Sequence, residues 1–325
     1  MKLAAYHKDR GDDVGLRGSG IKHPDQVNDP DRVYVSCIYT INREKALATE
    51  WLYGDAEVIF GGSGISLDSK LSPDVMGSPP DHSIYDNRGV PGWPYGIGFS
   101  SRGCPRGCDF CIVWQKEGLR IIQAQPMDRI AADHDRILLL DNNLMMDPLV
   151  EEKLRWIKDW GGYVNYSQGI DTRVVAKRPD LASKLRETKY RDRTFVRPMI
   201  TLSYDDPAEA DLVEQAVKNM KDAGFDLRND AQFFTLVNYN TTLEQDVARI
   251  RHLWQLGTMP FIMVYDKPSA SVEIIRLQRC VNRRQIFWSM DWDRVDHDNL
   301  IRTLDHHNNS TQEPENVSAS HWLDL

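Results

Sequence analysis

YGIGFSSRGCPRGCDFC, residues 95–111, joins a short apolar strand candidate to a loop that carries three of the five cysteines of the chain. Cys104, Cys108 and Cys111 are separated by three and by two residues, and the glycines and proline around them disfavour regular structure. Thiolates are soft ligands that favour zinc or iron-sulfur clusters. A structural zinc site normally closes with four ligands, whereas this loop supplies three. The stretch therefore predicts a metal site with an incomplete local ligand set.

Six strand candidates alternate with helix candidates from this stretch onward, at 95–100, 137–141, 163–168, 198–204, 232–239 and 261–265. Helix starts support the pattern: Asp206-Pro207 has Glu209 at the capping-box position, and Thr241 is followed by Glu244. This alternation is typical of a parallel barrel or open sheet. In such folds ligands collect at the C-terminal ends of the strands, so we expect the chemistry there.

The N-terminal region predicts a smaller parallel unit. A helix is expected at 3–10, a short strand at 13–16, and then a strand, helix and strand at 33–38, 43–53 and 56–60. Gly61 to Gly64 either cradle a phosphate or form a plain turn, and the sequence leaves both open.

A segment rich in glycine and proline separates the two regions. Residues 61–97 contain seven glycines and five prolines, which places a domain boundary here. We predict an N-terminal domain at 1–90, a core at 91–304 and, because the composition turns polar, a disordered tail at 305–325.

Composition and charge narrow the class of protein. The 325 residues are 41% hydrophobic, and no apolar run approaches the roughly 18 residues of a membrane helix. With no secretory signal and clustered cysteines, we expect a cytoplasmic protein. The net charge of −8 does not favour nucleic-acid binding, although basic stretches at 184–193 and 276–284 leave it open. Those stretches are more simply solvated helix faces.

The C-x3-C-x2-C spacing, with Phe110 before the third cysteine, resembles the signature of the radical S-adenosylmethionine superfamily. The resemblance implies that Cys104, Cys108 and Cys111 bind three irons of a 4Fe-4S cluster, whose fourth iron takes S-adenosylmethionine. It further implies reductive cleavage of S-adenosylmethionine to a 5′-deoxyadenosyl radical that abstracts hydrogen from a substrate not indicated by the sequence. An electron donor such as flavodoxin or ferredoxin is implied as a partner. The implied fold is α/β, a partial parallel (βα)6 TIM-like barrel preceded by a small Rossmann-like domain.

The stretch from Gly103 to Gly118 resembles a branch of that superfamily with a cobalamin-binding-like N-terminal domain. The Asp-x-His-x-x-Gly motif of true cobalamin binders is absent, and the region begins with a helix, as though its first strand were missing. Cobalamin binding is therefore not expected. The alternatives are a cobalamin-dependent radical methyltransferase and, from another class, a non-catalytic protein with a structural zinc site.

Polar residues at the predicted strand ends supply further candidates. Asp141, Asn142 and Asn143 stand where the family usually has Gly-Gly-Glu; they offer acceptors for the ammonium of S-adenosylmethionine, or else cap the following helix.

Other candidates follow the later strands. Gln168, Asp171 and Arg173 are candidates for substrate or cofactor contacts, with a surface ion pair as the alternative for the last two. By resemblance, Ser203, Asp205 and Asn238 lie near the ribose and carboxylate of S-adenosylmethionine. Phe110 belongs to the same cofactor-binding set. Cys37 and Cys280, in apolar surroundings, are expected to be buried thiols.

Overall fold

The structure is a computed structural model that describes residues 1–17, 29–81, 83–84 and 94–295. It divides into two compact units, which meet in the sequence between Asn142 and Asn143. Both contain helices and parallel strand pairs, which confirms the α/β class. The predicted boundary near residue 90 and the predicted tail at 305–325 lie outside the described residues.

The first unit contains short elements. Its helices are α1 (Lys2–Lys8), α2 (Arg43–Leu47), α3 (Pro73–Gly77), α4 (Val113–Lys116) and α5 (Met127–Ala131). Its strands are β1 (Arg32–Ser36), β2 (Glu57–Gly61), β3 (Gly96–Gly98), β4 (Ser101–Arg102), β5 (Ile122–Gln123) and β6 (Arg136–Leu139).

The predicted N-terminal strand-helix-strand pattern is confirmed: β1 pairs in parallel with β2, with Val33 opposite Val58. The predicted helix at 43–53 is shorter, because α2 passes into a 3-10 turn at Ala48–Leu52, where the Thr49 hydroxyl donates to the Ala46 carbonyl at 2.6 Å. The predicted strand at 13–16 is wrong, since those residues have no regular structure. Two apolar residues around a glycine are too few to hold a strand.

Strands β3 and β6 form a second parallel pair, with Gly96 opposite Ile137. Strand β6 is apolar and buried, as its run of isoleucine and leucines predicts. A Cβ at Gly96 would lie 1.9 Å from the carbonyl oxygen of Ile130, so the glycine permits α5 to pack against β3.

The second unit contains longer helices: α6 (Val150–Trp160), α7 (Thr172–Lys177), α8 (Pro179–Arg186), α9 (Ala210–Asp222), α10 (Leu227–Asp230), α11 (Leu243–Gln255), α12 (Val272–Val281) and α13 (Arg284–Ser289). Its strands are β7 (Tyr163–Tyr166), β8 (Lys189–Tyr190), β9 (Ile200–Ser203), β10 (Ala231–Val237) and β11 (Met259–Val264).

Strand pairing in this unit is parallel. Strand β10 lies between β9 and β11, and β7 pairs with β8. Strands β7, β9, β10 and β11 are each followed by a helix, as predicted. The core is formed by residues such as Val164, Leu202, Phe233 and Ile262, each 0% exposed. None of the described helices in either unit is both long and apolar enough to span a membrane.

Two predicted helix starts need correction. Asp206 does cap, accepting from the amide of Ala208 at 2.9 Å, but Glu209 forms an ion pair with Arg173 rather than a capping box. The second box is formed by Thr242 and Gln245, one residue later than predicted. The Thr241 hydroxyl instead donates to buried Asp246, at 2.8 Å.

Candidate metal centre

The three clustered cysteines lie in one loop whose ends are joined by a short antiparallel ladder. Ser101 pairs with Gln123 and Arg102 with Ile122, which closes residues 103–121 into the segment that we call the cysteine loop. None of the five cysteines forms a disulfide. Cys104, Cys108 and Cys111 are half-buried, as ligands of a site reached from solvent should be.

The other two thiols are buried, Cys37 at 5% and Cys280 at 0% exposure, which confirms the prediction for them. Gly62 and Gly64 explain the glycine run near Cys37. A Cβ at Gly62 would lie 2.3 Å from the Cys37 carbonyl oxygen, and one at Gly64 would lie 2.6 Å from the Tyr39 carbonyl carbon. The run therefore serves as a close-packed turn, the simpler of the two predicted alternatives.

Gly103 permits the cysteine loop to close. Its φ is +94°, and a Cβ there would lie 2.1 Å from the carbonyl oxygen of Arg120 on the opposite side of the loop. Next to it, the amide of Cys104 donates to the carbonyl oxygen of Gly118 at 3.2 Å. This backbone hydrogen bond holds the first cysteine against the opposite side of the loop.

An ion pair joins the same two sides of the loop. The guanidinium of Arg102 donates to both carboxylate oxygens of Glu117, through Nε at 2.8 Å and Nη2 at 2.6 Å. These hydrogen bonds hold the pKa of Glu117 below its ordinary value. Arg102 also lies over the ring of Phe99, 4.1 Å from its centroid, so its side chain is held on two sides.

The second and third cysteines are joined by a tight turn. The amide of Cys111 donates to the carbonyl oxygen of Cys108 at 3.0 Å, and the same oxygen accepts from the indole Nε1 of Trp114 at 3.1 Å. The turn leads into α4, so Cys108 and Cys111 are held close together at the start of a helix.

Asp141 and Asn142 attach the end of β6 to the entry of the cysteine loop. The buried carboxylate of Asp141 accepts hydrogen bonds from the amides and the hydroxyls of both Ser100 and Ser101, at 2.5–3.0 Å. Asn142 accepts from the amide of Gly103 at 2.9 Å. Their role as acceptors for an ammonium stays a prediction, but the acceptors are already engaged in positioning the loop.

The chemistry of the donor set fits an iron-sulfur cluster. Three thiols in an open, anchored loop are soft ligands of the kind that such clusters take. Among the described residues, no three His, Cys, Asp or Glu side chains converge on the geometry of a single metal ion. In a cubane cluster each thiolate binds a different iron, so its three sulfurs do not have to meet at one point.

In the second unit, four predicted or neighbouring polar residues form a connected group. Asn143 donates to Asp171 at 2.9 Å, Arg173 Nε lies 3.1 Å from the other oxygen of Asp171, and Arg173 Nη1 lies 3.1 Å from Glu209. Asp171 is buried and also caps α7, so this is not the exposed ion pair of the alternative. Asn143 caps the turn that follows it, as the capping alternative predicted for this stretch.

Two carboxyls near this group have raised pKa values. Burial raises the pKa of Asp205, against the lowering effect of the Leu236 amide that donates to it at 3.1 Å. Burial also raises the pKa of Glu209, and Arg173 opposes that shift. Both groups therefore hold a proton at a higher pH than ordinary carboxyls do.

The remaining candidates have separate surroundings. Ser203 is bonded through its backbone to the hydroxyl of Thr172, and Asn238 donates to the Tyr265 carbonyl at 3.0 Å. Gln168 is exposed at the end of β7, before Gly169. The structure thus brings Asp171 and Arg173 together, whereas the side chain of Asn238 contacts the Tyr265 carbonyl and Gln168 is exposed.

Several residues of both sites had no signal in the sequence. Ser100 and Ser101 act through Asp141, some forty positions away in the chain, and Glu209 was expected to cap a helix. Glu117 lies one residue before the end of the stretch that carries the resemblance, and that position was its only signal in the sequence.

No model of a protein family matches this chain, and no curated protein matches it significantly.

Proposed function

We propose that this chain is a radical S-adenosylmethionine enzyme in which Cys104, Cys108 and Cys111 hold a 4Fe-4S cluster. The observation that carries the proposal is the construction of the cysteine loop. Three half-buried thiols project from a segment whose two ends are joined by β4–β5, by Gly103 against Arg120 and by the Arg102–Glu117 pair. A zinc knuckle needs a fourth ligand, whereas a cluster that binds a cofactor needs three.

The protein itself positions the three thiolates and leaves them accessible to an electron donor. Cys104, Cys108 and Cys111 would hold the cluster, which when bound would supply one electron for reductive cleavage of S-adenosylmethionine to methionine and a 5′-deoxyadenosyl radical that abstracts hydrogen from the substrate. The backbone of the cysteine loop fixes where the three thiolates stand, and Asp141 fixes the strand end that precedes it. Partial exposure of the thiols admits an electron donor such as flavodoxin or ferredoxin.

The proposed fold of the core is a partial parallel (βα)6 TIM-like barrel. Parallel pairing within each unit and the alternation of strand and helix support it. The β1–α2–β2 segment is the proposed Rossmann-like region.

Asp171 and Arg173 remain the proposed contacts for substrate or cofactor. The guanidinium of Arg173 forms ion pairs with the carboxylates of Asp171 and Glu209, which set its direction, and its side chain is 26% exposed. Asp205 and Glu209, with their raised pKa values, can hold or release a proton nearby.

Anaerobic purification tests the proposal. We expect a brown protein that contains iron and sulfide and that, with dithionite, converts S-adenosylmethionine to methionine and 5′-deoxyadenosine. A colourless protein with bound zinc and no iron would contradict the proposal and support the structural zinc alternative. Stoichiometric retention of hydroxocobalamin on gel filtration would support the cobalamin-dependent alternative.

A further inference from the structure

The connection between β1 and β2 exposes an unusual amount of apolar surface. It runs through a 3-10 turn (Thr40–Asn42), α2 and a second 3-10 turn (Ala48–Leu52), and none of these three elements has a buried residue. Its large apolar side chains are exposed: Ile41 by 76%, Leu47 by 39%, Trp51 by 89% and Leu52 by 63%. We call these four side chains the crossover face.

The strands beside it are also incompletely covered. Tyr34 and Ile59 stand opposite each other in the β1–β2 register and are 36% and 38% exposed. Parallel strands are normally buried on both faces, and two strands alone are marginally stable. Several exposed apolar side chains along one segment, among them a tryptophan that is 89% exposed, mark an interaction surface.

We propose that the crossover face is the contact between two copies of this chain in a two-fold symmetric dimer. The argument for a second copy is the distribution of charge along the segment. Arg43 and Lys45, with Glu44, stand at its start, whereas Glu50 and Asp55 stand at its end, and all five are exposed.

Two-fold symmetry supplies the complementarity. If two such segments pack antiparallel about a two-fold axis, the basic start of each lies beside the acidic end of the other. The apolar side chains then meet at the centre, surrounded by opposite charges, as in a typical interface.

Sedimentation velocity of the full chain, from nanomolar to tens of micromolar, tests the dimer. We expect Trp51→Glu to weaken dimerisation at least about tenfold, because buried tryptophans dominate interface energies. Val196→Glu is the matched control: this side chain is 74% exposed in the other unit, and the variant should dimerise like the wild type. Circular dichroism should show both variants folded, since neither side chain is buried. A wild-type chain that is monomeric throughout, or a dimer unaffected by Trp51→Glu, would overturn the proposal.

A charge exchange tests the antiparallel arrangement. The double variant Arg43→Glu/Lys45→Glu and the double variant Glu50→Lys/Asp55→Lys should each be largely monomeric, because like charges then face each other. Mixing the two variants should restore a dimer, because the start of the segment in each variant then lies beside an oppositely charged end of the segment in the other. Failure of the mixture to associate, or dimerisation of each variant alone as in the wild type, would refute the arrangement. Both experiments measure only the mass of the sedimenting species, so their outcome does not depend on metal content or enzymatic activity.

Discussion

Oδ1 of Asp141 accepts hydrogen bonds from both the backbone amide and the hydroxyl of Ser101, at 2.6 and 2.7 Å. The carboxylate is 4% exposed, and Ser100 donates to it in the same way. A buried carboxylate is stable only when donors fill its lone pairs, and here those donors belong to Ser100 and Ser101, shortly before the first cysteine. The relationship ties the end of β6 to the geometry of the candidate metal centre.

The first prediction concerns that anchor. Because a hydrogen bond to a charged group is worth about 1.5–3 kcal/mol, Asp141→Ala should lower the free energy of unfolding by about 3 kcal/mol and reduce iron retention. Urea unfolding of the metal-free protein and iron analysis measure the two effects. Exposed Asp133→Ala is the control and should change neither. Unchanged stability together with weaker S-adenosylmethionine binding would instead make Asp141 a cofactor ligand.

Gly103 gives a second prediction with a matched control. Gly103→Ala should prevent the loop from closing, because the added Cβ would stand 2.1 Å from the Arg120 carbonyl oxygen. Gly118 has a similar φ, +90°, but nothing lies within 4 Å of its Cβ position. Gly118→Ala should therefore cost only the roughly 1–2 kcal/mol of a left-handed residue. Thermal unfolding and iron content compare the variants; equal losses in both would show that the close approach is unimportant.

The ion pair between Arg102 and Glu117 should make the stability of the protein depend on pH. Arg102 lowers the pKa of Glu117, so the folded chain releases this proton at a lower pH than the unfolded chain does. The stabilisation from the pair is fully present above the ordinary value of 4.5 and is lost as the pH falls through the lowered pKa. The difference in stability between wild type and Glu117→Gln should shrink as the pH is lowered from 6 to about 3. Denaturant titration of metal-free protein across that range measures it, with exposed Glu152→Gln as the control; a constant difference would contradict the account.

The buried carboxyl of Asp205 leads to a pH dependence of stability with the opposite sign. Burial raises its pKa, so the folded state keeps a proton that the unfolded chain releases near 3.8, and stability falls as the pH rises through the raised pKa. The substitution Asp205→Asn removes this fall in stability, because the asparagine side chain does not ionise. Its carbonyl oxygen can still accept the hydrogen bond from the Leu236 amide. The variant should gain stability relative to wild type between acid and neutral pH, whereas exposed Asp211→Asn should not. If turnover is lost while stability rises, the carboxyl is retained for function. A variant that is less stable at neutral than at acid pH, relative to wild type, would refute the raised pKa.

The sequence predicted the order of the larger elements because their apolar runs are long. Strands β6 and β10 each overlap their predicted ranges and begin one residue earlier, and the parallel pairing of β1 and β2 followed from the intervening helix. Strands β4 and β5 were missed because two residues carry no periodicity, although they close the cysteine loop.

The candidate sites were predicted in part. Cys104, Cys108 and Cys111 lie within eight residues of the sequence, so they could be grouped without knowing the fold. The structural role of Asp141 was not predicted, because a polar residue after a strand suits a ligand and an anchor equally, and its serine partners are distant in sequence.

The most direct test of the central claim is the iron and sulfide content of the anaerobically reconstituted wild type beside single cysteine variants. We expect roughly four irons and four sulfides per wild-type chain, with broad visible absorbance. Cys104→Ala, Cys108→Ala and Cys111→Ala should each lose the cluster, whereas Cys37→Ala and Cys280→Ala should retain it. Wild-type iron content in Cys108→Ala would contradict the assignment.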